Sequence, residues 1–233
     1  MARELPELSV GIHVTLVDGR AVLSPSRIPG LAGSGGFFLD ESPAKAGIRY
    51  WMGRDRIREQ IEAEIEAQFV RLEEAGLRPA HADSHHHLHV HPVIFGALCR
   101  AAARHGVGWI RIPPGPFWTA FGGGFALLEA PEWAVFRVLK AFNLRSARAC
   151  GLSCPRTYGI SRPGRVTEDY LAGIVSRIDG PVSEVFAHPD MAGEQGRAEL
   201  AAITSPLVLK AMNSRGLAAK GFKDFYGPKD IGR

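Results

Sequence analysis

Cysteine is scarce in this chain and long apolar runs are missing, and each absence narrows what the protein can be. Its three cysteines, Cys99, Cys150 and Cys154, are odd in number and form no CxxC pair. They point to neither a disulfide framework nor a zinc knuckle, and a reducing cytoplasm suits them best. No stretch approaches 18 apolar residues, and the first seven residues carry Arg3, Glu4 and Glu7 where a leader would be apolar. The expectation is a protein that is neither secreted nor membrane-spanning. A Gly-rich phosphate loop, a nucleic-acid motif, an internal repeat and a low-complexity tract are all lacking. The balance of 28 basic to 24 acidic residues, a formal charge of +4, is too even to argue for a nucleic-acid partner.

What is present is ordinary in bulk and unusual in detail. With 233 residues, 45% of them hydrophobic and 22% charged, the chain is long enough for a substantial core and reads as one domain over residues 1–233. Leu8 to Val17 is rich in β-branched residues and stops at Asp18-Gly19, which predicts a buried strand and a turn. Pro and Gly crowd the stretch from Ala21 to Tyr50, a long loop. Ile57, Ile61, Ile65, Phe69 and Leu72 then follow helical spacing between Asp55, a candidate N-cap, and Gly76. An extended segment from Ala80 to His91 precedes a helix from Pro92 to His105. Strands are expected at Val107–Ile112, near Tyr158, at Ser183–Ala187 and around Lys220–Phe225, with helices at Thr167–Ile178 and Pro206–Ser214. This alternation favours a mostly parallel α/β sheet, and polar residues at strand ends favour a barrel, with a doubly wound sheet as the open alternative.

The strongest local signal lies between His81 and His91, where six of the nine histidines fall within eleven residues beside Asp83. In an extended segment His85, His87, His89 and His91 would share a face with Asp83 and His86 would point the other way, so only one or two could ligate one ion. Neutral imidazole is a common ligand for divalent metals, and Asp83 suits the part of a carboxylate that orients such a ring. The plain alternative is a solvated polar strand end. His13, among Val10, Ile12, Val14 and Leu16, would on its own more often be a core histidine than a ligand. His188, in Glu184-Val-Phe-Ala-His188-Pro189, stands where barrel enzymes gather active-site groups, or simply caps a loop.

Three segments, Leu8-Ser-Val-Gly-Ile-His13-Val-Thr-Leu16, His81-Ala-Asp83-Ser-His85-His86-His87-Leu-His89 and Glu184-Val-Phe-Ala-His188-Pro189, resemble in order and spacing the motifs of the YdjC-like deacetylases. That family includes chito-oligosaccharide deacetylases. Tyr50-Trp51, the run from Arg56 to Phe69 and Arg111-Ile-Pro-Pro are similar to its hopanoid-biosynthesis-associated branch. The resemblance implies a distorted (β/α) TIM-like barrel of the polysaccharide-deacetylase type and a divalent ion, Mg²⁺ or Zn²⁺, held by one Asp and two His. The two histidines match His13 and His85, and His188 matches the family's His-Pro histidine beside the metal. His188 and Asp83 are then the catalytic candidates, with Arg111 and His87 expected to bind substrate. Family members also carry an Ala-Asp-Asp-Phe-Gly strand that supplies the third ligand and a base, and no Asp-Asp pair occurs here. At about 31 residues per βα unit, two absent units at the start would be roughly 60 residues. Such an incomplete barrel would expose the edge of the Leu8–Val17 strand and favour self-association, a homo-oligomer included.

The function implied is deacetylation of an N-acetylglucosamine-bearing glycolipid in hopanoid biosynthesis, with soluble amino sugars as the alternative substrates. A metal-binding or sensory protein without turnover is the competing class, and a metal-dependent phosphoesterase is a weaker third. Pro131 to Arg148 places Val135, Phe136, Leu139 and Phe142 on one helical side and Arg137, Lys140, Arg145 and Arg148 mostly elsewhere. Such a helix either packs on a core or lies peripherally on an anionic inner membrane. Gly122 to Gly124 would be its entry loop.

Overall fold

A computed structural model describes residues 2–116, 130–160 and 164–225. The Gly122–Gly124 loop lies outside the described residues. Two compact units emerge: one comprises residues 1–111, 139–154 and 221–233, the other 112–138 and 155–220.

The first unit is built on a three-stranded parallel sheet, in the order β1 (Gly11–Val14), β2 (His81–Ser84), β3 (Trp109–Ile110). Its register sets Ile12 beside Ala82 and His13 beside Asp83. Ile12 and Val14 turn into the core while His13 faces out, the alternation that a period of two requires. A Cβ on Gly11 would collide with the His81 imidazole, so any other residue there requires that ring to move. Helix α1 (Pro43–Met52) comes next in the chain, and α2 (Arg54–Glu74) and α3 (Pro92–Arg104) pack on each other beside the sheet. Ile57, Ile61, Ile65 and Phe69 of α2 are buried at four-residue spacing, facing a core that includes Ile94, Phe95 and Leu98 of α3.

Two polar residues of α2, one buried and one partly buried, do a different job. Glu64, fully buried, accepts from the backbone N–H groups of Val22 (2.8 Å) and Leu23 (3.0 Å). Gln68 accepts from Thr15 N at 3.0 Å and donates Nε2 to Thr15 O at 2.7 Å. Tyr50 adds a hydroxyl bond to Leu16 O at 2.5 Å, and burial pushes its pKa up to about 12. The chain leaving β1 is therefore held by side chains of two helices.

The second unit contains β4 (Arg156–Tyr158) paired in parallel with β5 (Ser183–Val185). Helices α5 (Glu168–Val175) and α7 (Pro206–Ser214) supply a small cluster of Leu171, Val175 and Val208 with Val166, and α6 (Glu194–Ile203) packs on α5. Thr167 and Ser205 cap α5 and α7 with their hydroxyl groups, at 3.3 Å to Tyr170 N and 3.1 Å to Leu207 N. Helix α4 (Ala130–Ala149) runs from one unit into the other along the chain.

The mixed α/β class with parallel pairing is as expected, while the described strands form two separate sheets. Several boundaries differ from the sequence reading. The β1 strand is four residues long, because beyond Val14 the α2 side chains take over the backbone groups. The predicted loop up to Tyr50 ends at Pro43, which starts α1. Asp55 lies inside the first turn of α2, with Gly53 at the cap. Lys220–Phe225 is not a strand: Phe222–Phe225 forms a 3₁₀ turn whose Phe222 ring packs on His81 and Trp109. The largest difference is at Ala80–His91. Extension stops at Ser84, and His85–Val90 winds into 3₁₀ structure broken by left-handed His86 and His87, with φ of 52° and 53°.

Candidate metal centre

Strand register brings the first three residues together. His13 and Asp83 are paired positions on adjacent parallel strands, and the His13 Nδ1 to Asp83 Oδ1 distance is 2.7 Å. Arg111 follows Ile110, the register partner of Ala82, and its N–H bonds Ala82 O at 3.1 Å. This sets its guanidinium against the other Asp83 oxygen. His13, Asp83 and Arg111 thus form a row across the sheet.

The electrostatics of the row follow from burial. Asp83 and Arg111 are almost fully enclosed, whereas half of the His13 side chain is open to solvent. Burial alone would raise the Asp83 carboxyl, but the His13 hydrogen bond and the Arg111 charge outweigh it and hold the group well below the usual carboxylate range. A carboxylate accepts and cannot donate, so Nδ1 of His13 carries the hydrogen. In the neutral ring Nε2 is then the electron-pair donor, the arrangement of a carboxylate-oriented metal ligand.

The turn after β2 sorts the remaining histidines. His89 is fully buried; its Nε2 donates to Arg111 O at 2.7 Å, so Nδ1 is the acceptor, 2.9 Å from Ser84 Oγ. Burial lowers its pKa to about 4, and it holds the turn as a neutral ring. His91 caps α3 through Nδ1, accepting from Val93 N at 3.3 Å. His81 packs on Phe222. His85 and His86, by contrast, stand side by side, with ring centroids 4.1 Å apart. The expectation that they face opposite ways fails because left-handed His86 abolishes the strand alternation. The His13 ring lies 5.8 Å from the His85 ring, edge to face. Burial, then neighbouring His86 and His13, lowers the His85 pKa, which favours the neutral form that binds metals.

Asp18 is the residue that the sequence reading passed over as part of a turn. Its carboxylate Oδ2 is 3.9 Å from His85 Nε2, and ligand atoms of Asp18, His85 and His86 all lie within 4.8 Å of one another. The available signal was the Asp18-Gly19 turn directly after the histidine strand. Arg111 and His87 sit deeper than substrate contact suggests. The Arg111 guanidinium is engaged with Asp83, and burial drives the His87 pKa down to about 3.

His188 belongs to the other unit, three residues beyond β5, and is exposed. Its backbone N–H donates to the buried carboxylate of Glu199, which also accepts from Val166 N at 3.0 Å. Its ring meets Phe186 at 4.5 Å.

A carbohydrate deacetylase of Geobacillus stearothermophilus is 31% identical over 237 aligned positions, covering 97% of this chain and 80% of that protein. A chitooligosaccharide deacetylase of Enterobacter sp. (strain 638) is 38% identical over 111 positions, which cover 46% of this chain and 39% of that protein. Among solved structures, a protein of Enterococcus faecalis V583 described as a candidate cellobiose-phosphate cleavage protein superimposes with a TM-score of 0.66 at 17% identity. It covers 96% of this chain and 80% of its own, a likeness of fold. The family model for the YdjC-like protein matches residues 1–214, nearly all of the sequence including every histidine discussed, and the chain belongs to the YdjC-like family.

Proposed function

We propose that this chain is a metal-dependent carbohydrate N-deacetylase, a hydrolase of amide bonds, whose substrate is an N-acetylglucosamine-bearing glycolipid of the bacteriohopanetetrol type. The observation that carries the reading is the oriented His13 imidazole beside His85, with a buried carboxylate fixing its tautomer. Neutral imidazoles with a carboxylate nearby suit a borderline ion such as Zn²⁺ better than Mg²⁺, which prefers an all-oxygen shell. His13 and His85 would hold the ion, which supplies Lewis acidity to the acetyl carbonyl. Asp83 and Arg111 keep His13 in place. His188 is assigned the proton that the departing amine needs, because an imidazole can give up a proton and because it occupies the family's His-Pro position. The relatives named above as carbohydrate deacetylases support the reaction class.

The glycolipid reading draws support from α4. Val135, Val138 and Phe142 are each more than half exposed along one side of it, while Asn143 and Ala147 are the residues it buries. The sequence reading had placed Leu139 and Phe136 with the same apolar side, and these two are only partly covered. Exposed apolar residues flanked by Arg137, Arg145 and Arg148 match an anionic interface, with each cation near the leaflet contributing on the order of 1 kcal/mol. Among the described residues, no helix is long and apolar enough to cross a membrane.

The test is to measure acetate release from the glycolipid and from soluble chito-oligosaccharides, together with flotation on anionic liposomes. Faster turnover of the glycolipid, and flotation that weakens with salt and in Val138→Ser/Phe142→Ser, are expected. Equal turnover of both substrates without flotation would restrict the protein to soluble sugars. Unaltered turnover in His188→Ala would remove that residue from the reaction.

A further inference from the structure

We infer that Asp18 is the carboxylate ligand of the metal centre in this chain, joining His85 and, on its other side, His86. The inference rests on the metal centre proposed above and adds two residues around His85; the group whose ligand atoms lie within 4.8 Å of one another is Asp18, His85 and His86, with His13 outside it. Asp83 is the other carboxylate at the site, but both its oxygens are engaged, one by His13 and one by Arg111. Asp18 is different: its carboxylate is more than half exposed and 3.9 Å from the His85 ring nitrogen. Asp18 Oδ2 and His85 Nε2, 3.9 Å apart, are at a separation that two ligands about 2.0–2.2 Å from one ion can span, and a ring nitrogen of His86 lies within 4.8 Å of both.

Asp18 is also held where it is. Its N–H bonds Asp40 O at 3.0 Å, Gly19 O accepts from Phe38 N at 2.9 Å, and Glu64 of α2 grips Val22 and Leu23 just downstream. Asp40 is in turn clamped by Arg49 of α1, at 2.7 Å to Nε. A carboxylate on a fixed backbone loses less freedom when it binds than one on a loose loop.

The backbone gives an independent sign. Among the described residues, only three non-glycine residues have positive φ: Asp18 at 47°, His86 at 52° and His87 at 53°. Left-handed backbone is unfavourable for an L-residue, and such outliers gather at functional sites. Two of the three are the residues that complete the trio with His85. They sit on separate turns, after β1 and after β2, and the left-handed conformation sets both side chains against the same ring.

The experiment uses the whole chain, stripped with chelator and titrated with Zn²⁺ by calorimetry and with Co²⁺ by visible absorption. Asp18→Asn is the decisive variant, because Asn tolerates left-handed backbone and keeps the size of the side chain while removing the negative charge. Its Zn²⁺ affinity should fall on the order of 100-fold, with a changed Co²⁺ spectrum and an unchanged melting temperature. Asp18→Glu should recover part of the affinity, and His86→Ala should lose affinity by about tenfold or more. Full affinity in Asp18→Asn, with His13→Ala and His85→Ala both losing the metal, would overturn the role of Asp18 and leave the metal centre standing. Full affinity with lost turnover would make Asp18 a group acting on substrate and would equally overturn the inference. A wild-type chain that takes up neither ion would sink the metal centre and this inference together.

Discussion

The row across the sheet and the turn that follows it reach the same place by opposite means. His13, Asp83 and Arg111 occupy regular strand positions, and their geometry is secured by hydrogen bonds to buried charge. His85 and His86 stand in a turn with left-handed residues, where the backbone itself sets the direction of each ring. In the first region, chemistry and stability are coupled, since removing one member strands another charge in a dry environment. In the second they are separable, because the side chains are partly or largely exposed and only the conformation is costly.

Breaking the row should have the largest effect. Asp83→Ala takes the Asp83 carboxylate away from the buried Arg111 guanidinium, and losses of about 3–5 kcal/mol are usual for a buried pair broken on one side. Equilibrium urea unfolding measures this. A loss below about 1 kcal/mol would mean that water or another group compensates Arg111, and the contrast between the two regions would collapse.

Acid should separate the regions next. His89 has a folded pKa of about 4 against about 6.5 in an unfolded chain. The unfolded state therefore binds the proton first, so stability is complete above about pH 6.5 and declines as the pH falls towards 4, by up to roughly 3 kcal/mol. Asp83, also depressed, retains its contribution above about pH 4 and loses it only below that, as the pH approaches its lower folded value. Urea midpoints across pH 4–7 should slope downward with acid, and His89→Asn should reduce that slope to about half, buried His87 contributing the rest. An unchanged slope in the variant would assign the acid sensitivity elsewhere.

The smallest change in stability, and the sharpest comparison, is expected from His86→Gly. Glycine adopts positive φ freely, so the fold should be unchanged or gain up to about 1 kcal/mol while Zn²⁺ affinity drops. Thermal melting and metal titration on one sample would show it. A marked loss of stability would mean that His86 packs as part of the core.

Much of this was legible in advance, and the rest was hidden for identifiable reasons. The α2 stripe of Ile57, Ile61, Ile65 and Phe69 is periodic, and it is buried as its spacing predicts. Capping residues and prolines marked α3, α5 and α7 to within a few residues. The Asp83 carboxylate beside an imidazole was foreseen in kind, although which histidine it would meet depends on register, a non-local property. The turn at His85–Val90 was not foreseen, because no glycine signals its left-handed residues and a polar alternation reads as strand. Asp18 escaped notice for the same reason: as Asp-Gly it is an ordinary turn until a second turn is brought opposite it.

The clamp that Gln68 places on Thr15 has a consequence for how molecules of this protein meet one another. Val10 O accepts from Ala80 N, so even-numbered residues of β1 present their backbone groups to β2, and His13 and Thr15 present theirs to the opposite edge. At Thr15, Gln68 offers one acceptor and one donor, as a peptide unit on a neighbouring strand would. A side chain thus imitates the next strand of the sheet just past the end of β1 and occupies the backbone groups there, a part that a Pro or a charged residue plays at edges in other folds. Gln68→Leu would free those groups, and light scattering over time would show whether that one amide keeps these chains apart.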